Sequence, residues 1–404
     1  MTAINNEVEI PLRVGIQQWL ELTRCSGQVG FYRFTAQGVP TFLSSCFAIF
    51  IYELVDLLSS IPVAERQSWA AYLRSCQDVK SGLFKDHLLN PCELEDRLHS
   101  QEYLEWQMTM FGISALDAID QHPDHALSFL SHYRNARSLH AWLNKRDLSN
   151  PWMMSNEVMF LMFFFSYEYL RGKNSESLRN LKLILDYLDR HQDPRTGFWG
   201  TDHGADILNA MAGAYHFLPF YGFFEKPLSY SVQMIDRILA LQNRSDGLFV
   251  AKGGGGACED MDAVGSLIIL NGFTNHRELD ILHALEKAKQ TLRKSQKPDG
   301  GFSWSLRKPY GIKEWIHAIN PFIPYLDVRS IYVLKRSAIG GPLKRNKFMS
   351  HAGWQKMRFK IDESDMWSTY FRLLAIALIE SRQASGKTIT SWKFRTLPGL
   401  GWHI

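Results

Sequence analysis

The sequence of 404 residues has little of several features that mark particular protein classes. Its five cysteines are scattered, odd in number and without a Cys-x-x-Cys pair, which argues against a disulfide framework and an all-cysteine zinc site. The formal net charge of +4 is small and the chain has no basic tail, so we expect no nucleic-acid partner.

Long apolar runs are missing as well. The most apolar segment, residues 158–165, is far too short to span a bilayer. Glu7 and Glu9 precede any apolar run, so we expect no signal peptide. These observations predict a reduced, cytoplasmic protein. A basic stretch within residues 305–363 is compatible with peripheral association with an anionic membrane.

The clearest positive signal is a phrase that recurs along the chain, in which a Gln and several polar residues precede a Gly and an aromatic residue. It occupies residues 77–84, 192–199, 242–249 and 296–304, and a degenerate copy lies near residues 142–152. Each phrase predicts the end of a helix, because Asp-Gly and Pro-Asp-Gly sequences form turns in which Gly adopts a positive φ.

Two kinds of helix are predicted to alternate between these phrases. An amphipathic helix precedes a phrase, as in residues 178–188 and 281–292, where apolar residues recur with helical spacing. A helix that is apolar on nearly every side follows. Helices of this second kind begin near Thr41 and Tyr103 or span residues 158–170, 207–223, 261–270 and 367–379.

This alternation, with a period of about 50 residues, predicts helical pairs whose apolar member lies inside. Closed into a ring, such pairs form an all-α (α/α)6 toroid, which we favour over an open solenoid because the repeat is longer than common solenoid units. A seventh apolar candidate begins at Asp327. No domain boundary is visible, so residues 1–404 are predicted to form a single domain. Within it, residues 1–39 lie outside the clear repeats and residues 305–363 form an irregular basic insertion.

The repeated phrases resemble those of the terpenoid cyclases and the protein prenyltransferase β subunits, which share an α/α toroid. Residues 327–332, Asp-Val-Arg-Ser-Ile-Tyr, look like a helix opening of the prenyltransferase β subunits. The resemblance covers residues 40–385 as architecture but is specific only in these short phrases. It implies a central cavity that holds an isoprenoid chain, and the 13% aromatic content fits such a cavity because aromatic faces stabilise carbocations.

From this resemblance we predict that aromatic residues and one cation contact the substrate. The predicted substrate-binding residues are Trp199, Tyr215, Phe302, Trp304, Tyr332, Trp367 and Arg329. The predicted partner is therefore a hydrophobic small molecule. The sequence leaves open whether a second subunit is needed.

Acidic residues cluster where apolar helices are predicted to begin. The richest cluster contains Glu259, Asp260 and Asp262 and follows four glycines at residues 253–256. Neighbouring helix starts contribute Asp202, His203, Asp206, Asp362, Glu363 and Asp365. One interpretation is structural, because acidic residues in a first turn cap a helix and interact favourably with its dipole.

A second interpretation is a Brønsted acid, because crowded carboxylates cannot all ionise and one of them keeps its proton. Class II terpenoid cyclases use an Asp-x-Asp-Asp motif at a toroid helix start, and residues 260–262 resemble its first three positions. The resemblance makes Asp262 the proton donor. Because the fourth position holds Ala, Glu259, Asp206 or Asp365 must supply the partner acid. This chemistry needs no cofactor.

A third interpretation is a metal site. Prenyltransferase β subunits bind zinc through an Asp, a Cys two residues later and a distant His. Here the order is reversed, with Cys258 before Asp260, and the distant ligand is His203, His351 or another histidine. Cys, Asp and His are suitable zinc ligands, so the resemblance implies a zinc ion, with magnesium as an alternative.

Two further hypotheses stay open. Barrels of paired helices also serve carbohydrate-active lyases, epimerases and hydrolases, which need an acid, a base and a proton relay. The residues that would supply them are Asp202, His203, Asp206, Asn209, Tyr215 and His216, of which residues 203, 206 and 209 are predicted to share one helix face. His216 is alternatively a buried core residue. In a non-catalytic scaffold, the acids are caps and the cavity is packed shut.

The leading hypothesis is a terpenoid-cyclase-like enzyme that acts on an apolar isoprenoid substrate. It places Asp260 and Asp262 at the acidic end of the cavity.

Overall fold

The computed structural model describes residues 11–95, 99–251, 253–306, 348–384 and 392–403. Helices dominate these residues, and we number them in chain order. They are α1 (Leu12–Thr23), α2 (Phe42–Leu54), α3 (Val63–Ser75), α4 (Gln101–Ala118), α5 (Ser131–Arg134), α6 (Ala136–Leu143), α7 (Pro151–Gly172), α8 (Ser175–Arg190), α9 (Ile207–Tyr215), α10 (Leu218–Phe223), α11 (Ser231–Leu241), α12 (Ala257–Phe273), α13 (Glu278–Lys294) and α14 (Met366–Gln383). Two short strands, β1 (Phe348–Ser350) and β2 (Arg358–Lys360), pair antiparallel.

Six of the described helices, α2, α4, α7, α9, α12 and α14, form a closed inner ring. Each packs against the next, and α14 packs back against α2. Their side chains are buried on nearly every side, as their apolar sequences predict. The outer helices are amphipathic, and in α8 Leu181, Ile184, Leu185 and Leu188 face the core. This arrangement confirms the predicted (α/α)6 toroid.

Capping side chains mark where the inner helices begin. Thr41, Ser100, Asp206 and Asp365 each accept a hydrogen bond from a backbone amide in the first turn that follows. Because every outer helix returns the chain, these starts gather at one end of the ring. We call this the entry end. The start of α12 differs, since its N-cap is Gly256, which has no capping side chain.

The repeated phrases form the predicted turns and also connect neighbouring pairs. In each, the Gln side chain donates to the carbonyl oxygen of the phrase's own Gly, over 2.7–3.0 Å. Those glycines have φ between +74° and +86°. The Gln242 side chain also donates to Ala284 of the next outer helix. That of Gln296 donates to Leu12, which ties the last phrase to α1 and completes the ring.

Residues 392–403, which we call the closing segment, cross the opposite end of the ring. The Lys393 amide donates to the Leu54 carbonyl at the end of α2. Gly399 faces Phe163 and Phe220, and the Trp402 ring packs against Phe223. The segment therefore spans the ends of several inner helices and covers the end at which they finish.

Several sequence predictions meet the limits of the described residues. The seventh apolar candidate at Asp327 and most of the basic stretch at 305–363 lie outside them. Within residues 1–39, α1 joins the outer layer. No helix in the described part of the chain is long and apolar enough to cross a membrane.

Candidate active site

Asp260 is a buried structural anchor at the start of α12. Its carboxylate accepts hydrogen bonds from the backbone amides of Phe249 and Gly256, and it pairs with Arg372 of α14 over 3.3 Å. Burial raises the pKa of Asp260 to about 7, although the Arg372 charge and the Phe249 amide act to lower it. Because the Asp260 carboxylate is bound by three donors, it fixes the phrase at residues 242–249 to the ring and is not free to contact a substrate.

Asp262 lies on a different face of the same helix. Two residues turn an α-helix by about 200°, so Asp262 points away from the anchor made by Asp260. It is 2% exposed and has no hydrogen-bond partner within the described residues. Burial, followed by the charges of Glu259 and Asp260, raises its pKa well above the ordinary range of an aspartate. Asp262 is therefore a buried carboxyl whose surroundings favour its protonated form.

The surroundings of Asp262 show that its face of α12 looks into the ring. One turn earlier, Cys258 accepts a hydrogen bond from the Trp367 indole of α14 over 2.7 Å. The Cys258 thiol also lies close enough to Tyr103 to raise its pKa, and Tyr103 belongs to α4, the helix opposite α12 in the ring. The Asp262 carboxyl in turn raises the pKa of Cys258 and that of Tyr215 of α9. Cys258 and Asp262 thus share the inward face.

Aromatic rings pack together beside these two residues. The Trp367 ring lies 5.2 Å from that of Phe47, 6.2 Å from that of Phe111 and 4.6 Å from that of Phe371. The turn that follows β1 adds His351, whose ring lies 4.2 Å from that of Trp367. The interior at the entry end therefore combines a buried acid with several aromatic faces.

The other acidic candidates lie elsewhere. Asp206 is exposed and caps α9, where its carboxylate accepts from the Asn209 amide. Asp365 is fully buried and caps α14 through the Ser368 amide, and burial raises its pKa to about 7. Glu259 is half-buried next to Asp262, so it is the carboxyl placed to act as the partner acid.

His203 does not join this group. It lies in an exposed 3₁₀ turn, Thr201–His203, with its ring nitrogen 3.7 Å from Asp202. The predicted helix face shared with Asp206 and Asn209 is not formed, because α9 begins only at Ile207. No group of three or more His, Cys, Asp and Glu side chains in the described residues is arranged to hold a metal ion. Cys258, Asp260 and His203 therefore make no zinc site.

The residues proposed for sugar chemistry are dispersed. The His216 ring is buried, its Nδ1 lies 2.8 Å from the Ser155 hydroxyl, and burial lowers its pKa to about 3. The Asn209 side chain accepts from the Trp152 amide. His203 lines a surface cleft of about 600 Å³ on the outside of the ring, together with Tyr187.

The predicted substrate-binding residues divide into four sets. Trp367 and Tyr215 lie beside the inward face of α12. Trp199 and Phe302 are buried in the wall, where the Trp199 indole donates to the Leu188 carbonyl. Trp304 is half-buried, and its carbonyl accepts from Arg372. Tyr332 and Arg329 lie outside the described residues.

The sequence analysis missed Arg372 altogether and considered His351 only as a metal ligand. Arg372 is fully buried and donates to the carbonyls of Ser303 and Trp304 as well as to Asp260. A single cation inside the otherwise apolar segment 366–379 was a signal that could have indicated it. His351 as a neighbour of Trp367 carried no such signal, because it comes from a short hairpin with no periodic pattern.

The chain is similar to several solved structures at low sequence identity. Similar solved structures include the GH76 α-mannanase BT2949 of Bacteroides thetaiotaomicron, with 10% identity over 93% of this chain and 98% of that chain and a TM-score of 0.49. The type II terpene cyclase MstE of Scytonema has 13% identity over 92% of this chain and 99% of its own, with a TM-score of 0.45. The polysaccharide lyase BACCELL_00875 has 13% identity over 94% and 99%, with a TM-score of 0.44.

The comparison with sequence families is more specific. No curated protein matches the sequence significantly. The family of the prenyltransferase alpha-alpha toroid domain matches residues 42–124 and 131–308, which is more than half of the chain. The chain therefore belongs to the prenyltransferase α-α toroid domain family.

Proposed function

We propose that this protein is a terpenoid-cyclase-like enzyme in which Asp262 protonates an apolar isoprenoid substrate inside the ring. The observation that carries the proposal is the Asp262 carboxyl itself. It is buried on the inward face of α12, has no hydrogen-bond partner within the described residues and has a raised pKa. A carboxyl in this state is a proton donor without a structural task.

The chemistry follows from this protonation state. The Asp262 hydroxyl gives its proton to one carbon of an alkene, so a C–H bond forms and the neighbouring carbon becomes a cation. A second alkene of the chain then forms a C–C bond to that cation. Loss of a proton from the final cation makes the reaction an isomerisation, and it requires no cofactor.

The walls suit such a cation. Aromatic faces attract positive charge through their quadrupoles, and they offer no nucleophile that would capture it. Trp367, Phe47 and Phe111 pack together beside Cys258, one turn from Asp262. Their close packing also excludes water, which would end the reaction early.

The test is turnover of linear polyprenyl compounds, offered as alcohols, diphosphates, epoxides and hydrocarbons, with products identified by mass spectrometry. We expect cyclic products of unchanged mass from the wild-type protein. Asp262→Asn removes the proton and should reduce the rate at least about 100-fold. The rate of the wild-type protein should fall as the pH rises through the raised pKa of Asp262, because the ionised form cannot donate.

Asp206→Asn is the matched control. The same substitution is made at another helix start of the entry end, and Asn caps a helix as well as Asp does, so folding and turnover should be unchanged. Full turnover by Asp262→Asn, or failure of the wild-type protein to convert any compound of the panel, would contradict the proposed function.

A further inference from the structure

His351 is a buried polar side chain with nothing to bind in the described part of the chain. It is 8% exposed, and its Nε2 is buried without a hydrogen-bond partner. Leaving a buried polar atom unpaired is unfavourable by about 1–3 kcal/mol, so native structures rarely do so without a reason. A ligand that supplies the missing partner is such a reason.

The backbone holds His351 firmly in this position. The carbonyl of His351 accepts from the Trp354 amide over 2.9 Å, and the Glu95 amide donates to Gly353 over 2.8 Å. The next residue, Ala352, has a φ of +48°, which a residue with a side chain rarely adopts. The fold thus maintains a strained turn beside a histidine that makes no side-chain hydrogen bond within the described residues.

The groups around the His351 ring are mostly apolar aromatic rings, and among the described residues His99 is the one titratable group that acts on its pKa. The ring lies 4.2 Å from that of Trp367, 5.7 Å from that of Phe34 and 6.2 Å from that of Phe47. Burial lowers the pKa of His351 to about 3, so the imidazole is neutral and offers one donor and one acceptor nitrogen. Such a group recognises a neutral oxygen, which can accept from or donate to it.

The buried carboxyl groups nearby disfavour an anion at the same place. Asp262, Glu259 and Asp365 all raise the pKa of the Cys258 thiol, which accepts from Trp367. Trp367 in turn lies against His351. A diphosphate placed here would add negative charge among carboxyl groups in a site with little water to solvate it.

We propose that His351 binds the oxygen of a neutral head group, so that the substrate is an isoprenoid alcohol, phenol or carbonyl compound rather than a diphosphate. This inference rests on the proposed function and names its substrate class. The head group lies against His351 and Trp367, and the chain extends along the aromatic walls toward Asp262.

The test is binding, measured by titration calorimetry, of three probes that share one chain: farnesol, farnesyl diphosphate and the corresponding hydrocarbon without the hydroxyl. We expect the wild-type protein to bind farnesol about five- to tenfold more tightly than the hydrocarbon, which is the effect of one buried hydrogen bond. Farnesyl diphosphate should bind more weakly than farnesol. This order is measured on the wild-type protein and needs no variant.

His351→Phe keeps a flat ring but removes both nitrogens. It should reduce the preference for farnesol over the hydrocarbon to about one, while His283→Phe, the same change at an exposed position of α13, should leave the preference intact. Tightest binding of the diphosphate, an unchanged preference in His351→Phe, or no binding of any probe would overturn the proposal.

The outcomes also separate this inference from the proposed function. If His351→Phe abolishes the preference for farnesol while Asp262→Asn retains full turnover, the head-group site stands and the acid assignment fails. If Asp262→Asn abolishes turnover while the diphosphate binds best, the acid assignment stands and the head-group site fails.

Discussion

Two aspartates separated by one residue have different tasks in this protein. Asp260 accepts hydrogen bonds from two backbone amides and pairs with Arg372. It therefore joins the phrase at residues 242–249 to α12 and α14. Asp262 has no such partner in the described residues and faces the interior. The sequence analysis grouped them as one acidic end of a cavity, whereas the rotation of about 100° per residue in a helix already separates them.

The raised pKa of Asp262 gives a stability prediction that needs no substrate. Its pKa is raised in the folded state above the value of about 3.9 in the unfolded chain, so its contribution to stability is complete below that value. The contribution is lost as the pH rises, by about 1.4 kcal/mol per pH unit between the two pKa values. Asp262→Asn should therefore become progressively more stable than the wild-type protein from pH 5 upward.

Melting temperatures of both proteins across that range measure the effect. Asp280→Asn, at an exposed position of α13 where Asp280 pairs with Arg277, serves as the control for removing an aspartate charge at the surface. If the curve of Asp262→Asn runs parallel to that of the wild-type protein, the Asp262 carboxyl is solvated and cannot be the proton donor.

Some residue positions could be read from the sequence and others could not. The apolar segments and acidic helix starts indicated Asp262 and Cys258 at the start of one inner helix, but not that Trp367 contacts Cys258. His203 was misplaced because the turn around Gly204, with a φ of +89°, separates it from α9. The pairing of His351 with Trp367 depends on a hairpin that folds back over the ring, which no local pattern encodes.

At the scale of elements, the sequence predicted the six inner helices and the repeated turns well, except that the predicted helix over residues 207–223 is divided into α9 and α10. Both have strong local signals, namely continuous apolar character and glycines with a positive φ. The role of the Gln in each phrase was not predicted. Its side chain reaches across to a neighbouring element, as Gln242 does to Ala284, and that contact exists only once the pairs stand side by side.

These glutamines should therefore contribute measurably to stability. Gln242→Ala removes hydrogen bonds to the carbonyl groups of Gly247 and Ala284, each 2.8 Å long, and leaves both groups without that donor. We expect the free energy of unfolding in urea to fall by about 1–3 kcal/mol. Gln290→Ala, the same change at an exposed position of α13, should change it by less than about 0.5 kcal/mol. Equal effects of the two variants would show that the phrase is held by its backbone alone.

At the scale of the whole molecule, the two ends of the ring differ, because the closing segment covers only the end at which the inner helices finish. Arg395 of this segment is 9% exposed, and its guanidinium lies 3.4 Å from the centre of the Phe50 ring and 3.6 Å from the Glu53 carboxylate. Burial raises the pKa of Glu53 to about 7, while the charge of Arg395 acts to lower it. One buried ion pair therefore holds the closed end.

Arg395→Met keeps the length of the side chain but leaves Glu53 without its cation. We expect the free energy of unfolding at pH 8 to fall by about 3 kcal/mol. The deficit should shrink toward pH 5, because the folded-state pKa of Glu53 rises further in the variant and the neutral carboxyl tolerates burial. Adding Glu53→Gln should restore much of the loss at pH 8.

Lys393→Met is the control in the same segment, because the Lys393 side chain is 61% exposed and pairs with Asp56 at the surface. Its effect should stay below about 1 kcal/mol. A loss for Arg395→Met that does not depend on pH would mean that packing against Phe50, and not the charge, fixes the segment.

The hydrogen bond from Gln296 to Leu12 joins residues 284 positions apart. A ribosome adds about 5–20 residues per second, so the side of α1 that packs on this phrase waits about 15–60 s for its partner to be synthesised. During that interval the early helical pairs form an open arc with an uncovered apolar edge. Completion of the circle is therefore a late event in biosynthesis, and the nascent arc is the state in which molecular chaperones would engage this chain.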